Sequence, residues 1–163
     1  MKGKFDADRS LGKALQRWWD DLQQHSGDRA ELRRAKTVED VILLPVFQRA
    51  CARFRPFFQE EKNWEYRLAA ILGLLAHIRK PTNEMVVLQM AGKPKPVVSE
   101  LRFRRLIQRD RKELYISMIR VLRLLGNKAN LHDLANSVYY WGDRVKQEWA
   151  FAYFPNTPDI ASV

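Results

Sequence analysis

Three histidines, one cysteine and a scatter of carboxylates are the residues of this chain that could bind a metal or act on a substrate. A metal site of the common kinds needs imidazole, thiolate or carboxylate donors at helical i, i+4 spacing or in close cysteine pairs. His25, His77 and His132 are dispersed, and His132–Asp133 is a lone HD pair in which Asp133 more simply places negative charge at a helix N-terminus. Asp20 and Asp21 follow a tryptophan pair and lack companions for a two-metal nuclease. Cys51 is the only cysteine, which excludes an internal disulfide and a several-thiolate zinc site and fits a reducing compartment. On an apolar helix face it reads as packed and inert. GKPK from Gly92 and GNKAN from Gly126 lack both the spacing of a phosphate-binding loop and the strand before it. No set of nucleophile, base and oxyanion donors is visible, so the expectation is a protein with no catalytic residues, no metal and no cofactor.

The chemistry that the sequence does carry is cationic. Lys and Arg number 29 against 19 Asp and Glu, a formal charge of +10 over 163 residues, which favours anionic partners and nucleic acid first among them. The arginines are also patterned. In SELRFRRLIQRDRKEL, Ser99 to Leu114, the helical repeat puts Phe103, Leu106 and Ile107 on one face and Arg102, Arg105 and Arg109 in a stripe on the other. Arg111 follows, and Arg120 and Arg123 emerge together from the next apolar helix; Arg34 and Arg144 lie further away in sequence. Like charges three or four residues apart repel, so such a stripe is no stability device unless acids face it. A guanidinium presents planar donors that match phosphate bidentately, and phosphate contacts position a strand without reading its bases. Among the aromatics most tryptophans lie on apolar faces and should pack; Trp19 and Tyr140 are the two left open for stacking on bases.

The elements that must position these arginines all read as helices. Leu11, Leu15, Trp18 and Leu22 recur at helical spacing behind Ser10 as a cap; Asp28 with Glu31, Thr37 with Asp40, and Pro45 mark three further starts. Asn63 precedes the most apolar segment, whose Leu68, Ile71, Leu72, Leu75 and Ile78 mark it as the central packing element. MVVLQMA reads as a short helix or turn, since one β-branched run without a partner builds no sheet. Ser99 starts a helix ending near Arg109, Asp110 with Glu113 starts another that closes at Gly126, and Asn130 and Gly142–Asp143 open the last two. The tail FPNTPDIASV reads as frayed. The fold expected is therefore an all-α helical bundle of two small lobes sharing a core, residues 1–92 and 93–163, divided at the proline-stiffened GKPKP. The N-terminal residues lack the apolar stretch of a signal peptide, and the run Leu68–Ile78 is well short of the ~20 residues of a membrane span, so a cytoplasmic protein without membrane contact is expected.

In SELRFRRLIQRD, IRVLRLL and WGDRVKQEW, preceded by DRAELRRAKTVEDV and PVFQR, the chain resembles the CasB family, the small subunit of the type I-E CRISPR effector complex Cascade. The likeness covers nearly the whole chain and rests on the order of these segments. It implies an all-helical, non-catalytic subunit, present as a pair beside other Cascade subunits on CRISPR RNA. Such a subunit helps hold the R-loop by contacting target DNA and the displaced single strand. By motif it carries Arg34, Arg102, Arg111, Arg120 and Arg144 over as nucleic-acid contacts, to which the stripe geometry adds Arg105, Arg109 and Arg123. Asp143 in WGDR departs from the basic residue of some relatives, and the segment Met85 to Pro96 fits the family's glycine-containing stretch poorly. The alternative is a free-standing helical DNA-binding regulator reading a groove with the helices after Asn130 and Gly142.

Overall fold

The computed structural model describes residues 3–156. Among them are ten α-helices: α1 (Ser10–Leu22), α2 (Ser26–Arg34), α3 (Val38–Ile42), α4 (Pro45–Phe54), α5 (Trp64–Leu75), α6 (Val86–Ala91), α7 (Glu100–Leu106), α8 (Arg111–Leu124), α9 (Leu131–Tyr139) and α10 (Asp143–Tyr153). The all-α expectation therefore holds. α5 is the centre: from Leu68 to Leu75 every residue is buried, and α2, α3, α4, α8 and α9 all pack against it. Such a helix has no polar face because it meets protein on every side. One apolar cluster runs from Phe5 to Tyr153 and takes in residues on both sides of Gly92. There, α6 packs on α10, the Tyr153 hydroxyl donates to the Val98 carbonyl at 2.6 Å, and Val98 N donates back to Met90 at 3.0 Å.

Four of the helix starts are capped as their sequences dictate. The side chains of Thr37, Ser99, Asp110 and Asn130 accept from the backbone amides of Asp40, Arg102, Glu113 and Asp133. Three others differ. Ser10 is already helical, Asn63 precedes α5 in the left-handed region (φ 59°) with no side-chain bond, and α2 begins at Ser26. Asp28 consequently lies inside α2, where its carboxylate meets Arg49 at 3.0 Å rather than a backbone amide. For Asp28 the ion pair between segments replaces the ~1 kcal/mol that a local cap contributes. The Arg102 helix also ends sooner than expected, at Leu106, with Arg109 in the turn that follows.

One feature has no counterpart in the sequence pattern. Strands β1 (Lys80–Pro81) and β2 (Lys128–Ala129) pair in parallel, Lys80 opposite Lys128 and Pro81 opposite Ala129. Two residues are too few for a periodicity to register. The ladder begins where Gly126 (φ 73°) ends α8: Gly126 N bonds Arg123 at 3.0 Å and Asn127 N bonds Leu122 at 2.8 Å, the paired bonds of a left-handed C-terminal cap. Asn127 O then accepts from Arg79 N at 2.8 Å, which fixes the end of α8 against the segment leaving α5. That junction sets the geometry of the basic surface. The tail beyond residue 156 lies outside the described residues.

Candidate nucleic-acid interface

The arginine stripe of α7 does not face open solvent alone. Arg102, Arg105 and the following Arg109 line one groove of about 490 Å³ together with Arg120 and Arg123 of α8, and Leu106, Ser117, Val121 and Leu124 complete its lining. Buried Phe103 and Leu106 anchor α7, and buried Met118, Val121 and Leu122 anchor α8, so the guanidiniums stand on packed supports. Arg109 donates to Glu113 at 2.9 Å. Arg102, Arg105, Arg120 and Arg123 have no carboxylate within ion-pair distance among the described residues. Four unneutralised guanidiniums at one groove repel one another and leave a site whose potential favours a polyanion.

Arg123 borders a second cavity as well. There it meets Arg33 and Arg34 of α2, His77 and Asn127, around a space of about 350 Å³. Arg34, near the start of the chain, is thus joined to the groove through Arg123. Two residues from the same sequence-based set lie elsewhere. Arg111 is half-buried: its Nε donates to Val138 O at 2.8 Å and its Nη2 to Tyr139 O and Trp141 O at 2.9 and 3.2 Å, which satisfies carbonyls at the C-terminal end of α9. Burial, then neighbouring Arg67, lowers its affinity for a proton. Arg144 is exposed on α10 and pairs with Glu148 at 3.4 Å.

The residues weighed for other chemistry are accounted for by packing. Asp133, the third residue of α9, accepts from Val86 N at 2.8 Å and so caps α6; burial raises its pKa against that bond. His132 shares its Nδ1 with the carbonyl of Phe5 at 2.8 Å. Cys51 is buried and its thiol is pushed up to about 11 by burial. Among the described residues no three His, Cys, Asp or Glu side chains are grouped to hold a metal, and no helix is long and apolar enough to cross a membrane. All five tryptophans are buried, Trp19 included, whose indole donates to Leu75 O at 3.2 Å. Tyr140 is exposed beside the edge of Tyr139. Sequence patterning did not single out Arg33 and His77 as site residues; LRR and LLAHI carry them, but only the packing of α2 on α5 brings them to one cavity.

An all-α chain with one continuous core and a groove lined by arginines of two helices belongs to the class of small helical bundles with a basic concave face. Within that class, the chain belongs to the CRISPR-associated protein Cse2 family, whose model matches residues 28–154, and this is the CasB family that the sequence resembles. Among solved structures it is similar to a chain in the crystal structure of E. coli Cascade bound to a PAM-containing dsDNA target. The two share 21% identity and a TM-score of 0.69, over 89% of this chain and 95% of that one, a likeness of fold. Comparison with curated proteins finds no match.

Proposed function

We propose that this protein is a non-catalytic small subunit of a type I-E Cascade complex in the bacterial cytoplasm. Its arginines hold the backbones of target DNA and the displaced single strand and so stabilise the guide-directed R-loop. One observation carries the reading: Arg102, Arg105, Arg109, Arg120 and Arg123, from two helices, line a single groove. R-loop formation exchanges a DNA duplex for a hybrid of similar stability, so a few phosphate contacts are enough to tip it. Arg34 extends the track through Arg123. Arg111 enters only through the guanidinium nitrogen left after its three carbonyl bonds, and Arg144 as an outlying contact in equilibrium with Glu148. The family membership and the Cascade-bound relative of like fold support other Cascade subunits, CRISPR RNA and a second copy of the chain as partners. The division into lobes 1–92 and 93–163 belongs to the same proposal, with GKPKP as the joint.

The test is R-loop lifetime on Cascade assembled with Arg102→Glu, Arg105→Glu and Arg120→Glu together. The variant should assemble and retain helicity while the R-loop dissociates at least tenfold faster. An unchanged lifetime with intact assembly overturns the role given to the groove.

A further inference from the structure

The cavity shared by α2 and α8 differs from the groove in one respect: a histidine lies beneath its arginines. His77, just past the C-terminal end of α5, is 9% exposed and its Nε2 has no hydrogen-bond partner among the described residues. Arg33, Arg34 and Arg123 border the same cavity, together with Asn127, and no carboxylate does. Nor does one approach from the other helices packed on α5. Glu39 of α3 pairs with Lys112, Asp133 of α9 accepts from Val86, and α4 brings Arg49 and Arg53, which pair with Asp28 and Asp21. Asp40 of α3 acts on Tyr115. Arg79 and Lys80 follow His77 after Ile78, and Arg79 also acts on Arg29, whose Nε is buried without a partner among the described residues. Of the cavity's own helices, Glu31 of α2 borders a neighbouring space beside Arg34 together with Asp40, and Glu113 of α8 pairs with Arg109. The charges that act on the imidazole are those of Arg33 and Arg123, both positive.

A buried imidazole in that company stays neutral, since burial and the charges of Arg33 and Arg123 all oppose a second proton. A phosphate group reverses the balance. Its charge cancels part of the arginine field and accepts charge-assisted hydrogen bonds from the guanidiniums. At about 350 Å³ the cavity has room for a phosphate with several waters, each about 30 Å³.

We propose that this cavity is a seat for one backbone phosphate and that filling it draws a proton onto His77, so that nucleic-acid binding strengthens as the medium is acidified. The inference rests on the nucleic-acid reading above and adds to it a titrating residue at a defined place. A backbone diester keeps its single charge throughout this range, so the proton is taken up by the protein. By linkage, affinity rises as pH falls below the pKa that His77 has in the complex, by at most tenfold per unit for one proton.

The probe is an oligothymidylate of about ten nucleotides, titrated onto the full chain at about pH 7.5, 6.5 and 5.5 at fixed ionic strength. Affinity should increase at least threefold toward the lowest pH, and His77→Gln should bind with no such gain. Side-chain NMR on the unaltered protein gives a readout independent of whether the variant folds: the His77 resonances should titrate at higher pH in the presence of the oligonucleotide than in its absence. Binding that is the same at every pH, a gain that survives in His77→Gln, or a His77 titration unmoved by the oligonucleotide each overturns the coupling while leaving the groove intact. Failure to bind at any pH overturns the nucleic-acid reading itself.

Discussion

Arg111 donates from Nη2 to the carbonyl oxygen of Tyr139 at 2.9 Å, and the same side chain bonds Val138 and Trp141. It reaches from the first residue of α8 to the last turn of α9, where orphan carbonyls and the negative end of the helix dipole favour a cation. A hydrogen bond to a charged group contributes about 1.5–3 kcal/mol, and three bonds on one guanidinium are not additive. Arg111→Ala should therefore destabilise the fold by about 3 kcal/mol, read as a fall of roughly 6–12 °C in Tm. Arg111→Lys should recover only part, because an ammonium lacks the planar fork. Arg102→Ala and Arg120→Ala, on exposed residues without ion-pair partners, should leave Tm within about one degree of the parent.

Arg111 also shows where sequence reading reached its limit. The pattern RDRKEL located the helix start correctly, because capping is a local event: Asp110 accepts from Glu113 N at 2.8 Å. The same pattern could not say that Arg111 turns inward while Arg102 and Arg105 stay exposed. That depends on α9 presenting its carbonyl end to α8, a contact 27 residues away in sequence. The stripe on α7 was legible from periodicity alone, and so was its anchoring by Phe103 and Leu106. Its meeting with Arg120 and Arg123, and the meeting of Arg34 and His77 with Arg123, needed the helix packing. Helical phase places Trp19 beside Trp18 without saying which of them meets the end of α5; the bond from the Trp19 indole to Leu75 O answers that.

The neutral state of His77 has a consequence for stability with pH. In the folded chain its pKa is pushed down to about 4 by burial and by Arg33 and Arg123, against 6.5 for an ordinary histidine. Between those values the unfolded chain binds more protons than the native one, so stability rises with pH. The stability is fully present above about pH 6.5 and is lost as the pH falls toward 4, by up to about 3 kcal/mol. Urea unfolding at pH 7 and pH 5 should show the loss in the parent protein. His77→Gln should show a smaller one, and equal slopes would contradict the assignment.

Cys51 should be chemically silent in the native state. Its sulfur is buried in α4 and its thiol is pushed up to about 11 by burial, with Arg55 acting in the opposite sense and too weakly to reverse it. At pH 8 almost none is thiolate, and the little that forms is out of reach of a reagent. A colorimetric disulfide reagent should therefore label the folded protein only on the timescale of its unfolding, and label it at once in denaturant. Rapid labelling without denaturant would place the thiol at the surface.

Arg123 is the residue on which the basic surface turns, because it borders both the groove and the cavity of Arg33, Arg34 and His77. Arg144 is the natural control: it is cationic and exposed, but bonded to Glu148 at 3.4 Å and outside both spaces. Neutralising a guanidinium that contacts a single-strand phosphate should reduce the slope of log affinity against log salt by about 0.7. Arg123→Gln should show at least that reduction, together with weaker binding at every salt concentration. Arg144→Gln should leave the slope on this short oligonucleotide within experimental error, since its outlying contact belongs to the longer strands of the assembled complex and an exposed i, i+4 pair on one helix contributes little either way. Fluorescence anisotropy of a labelled oligothymidylate between about 50 and 200 mM salt measures both quantities. Equal effects from the two substitutions would mean that the chain binds through diffuse net charge, and the convergence of α2, α7 and α8 would then have no functional consequence.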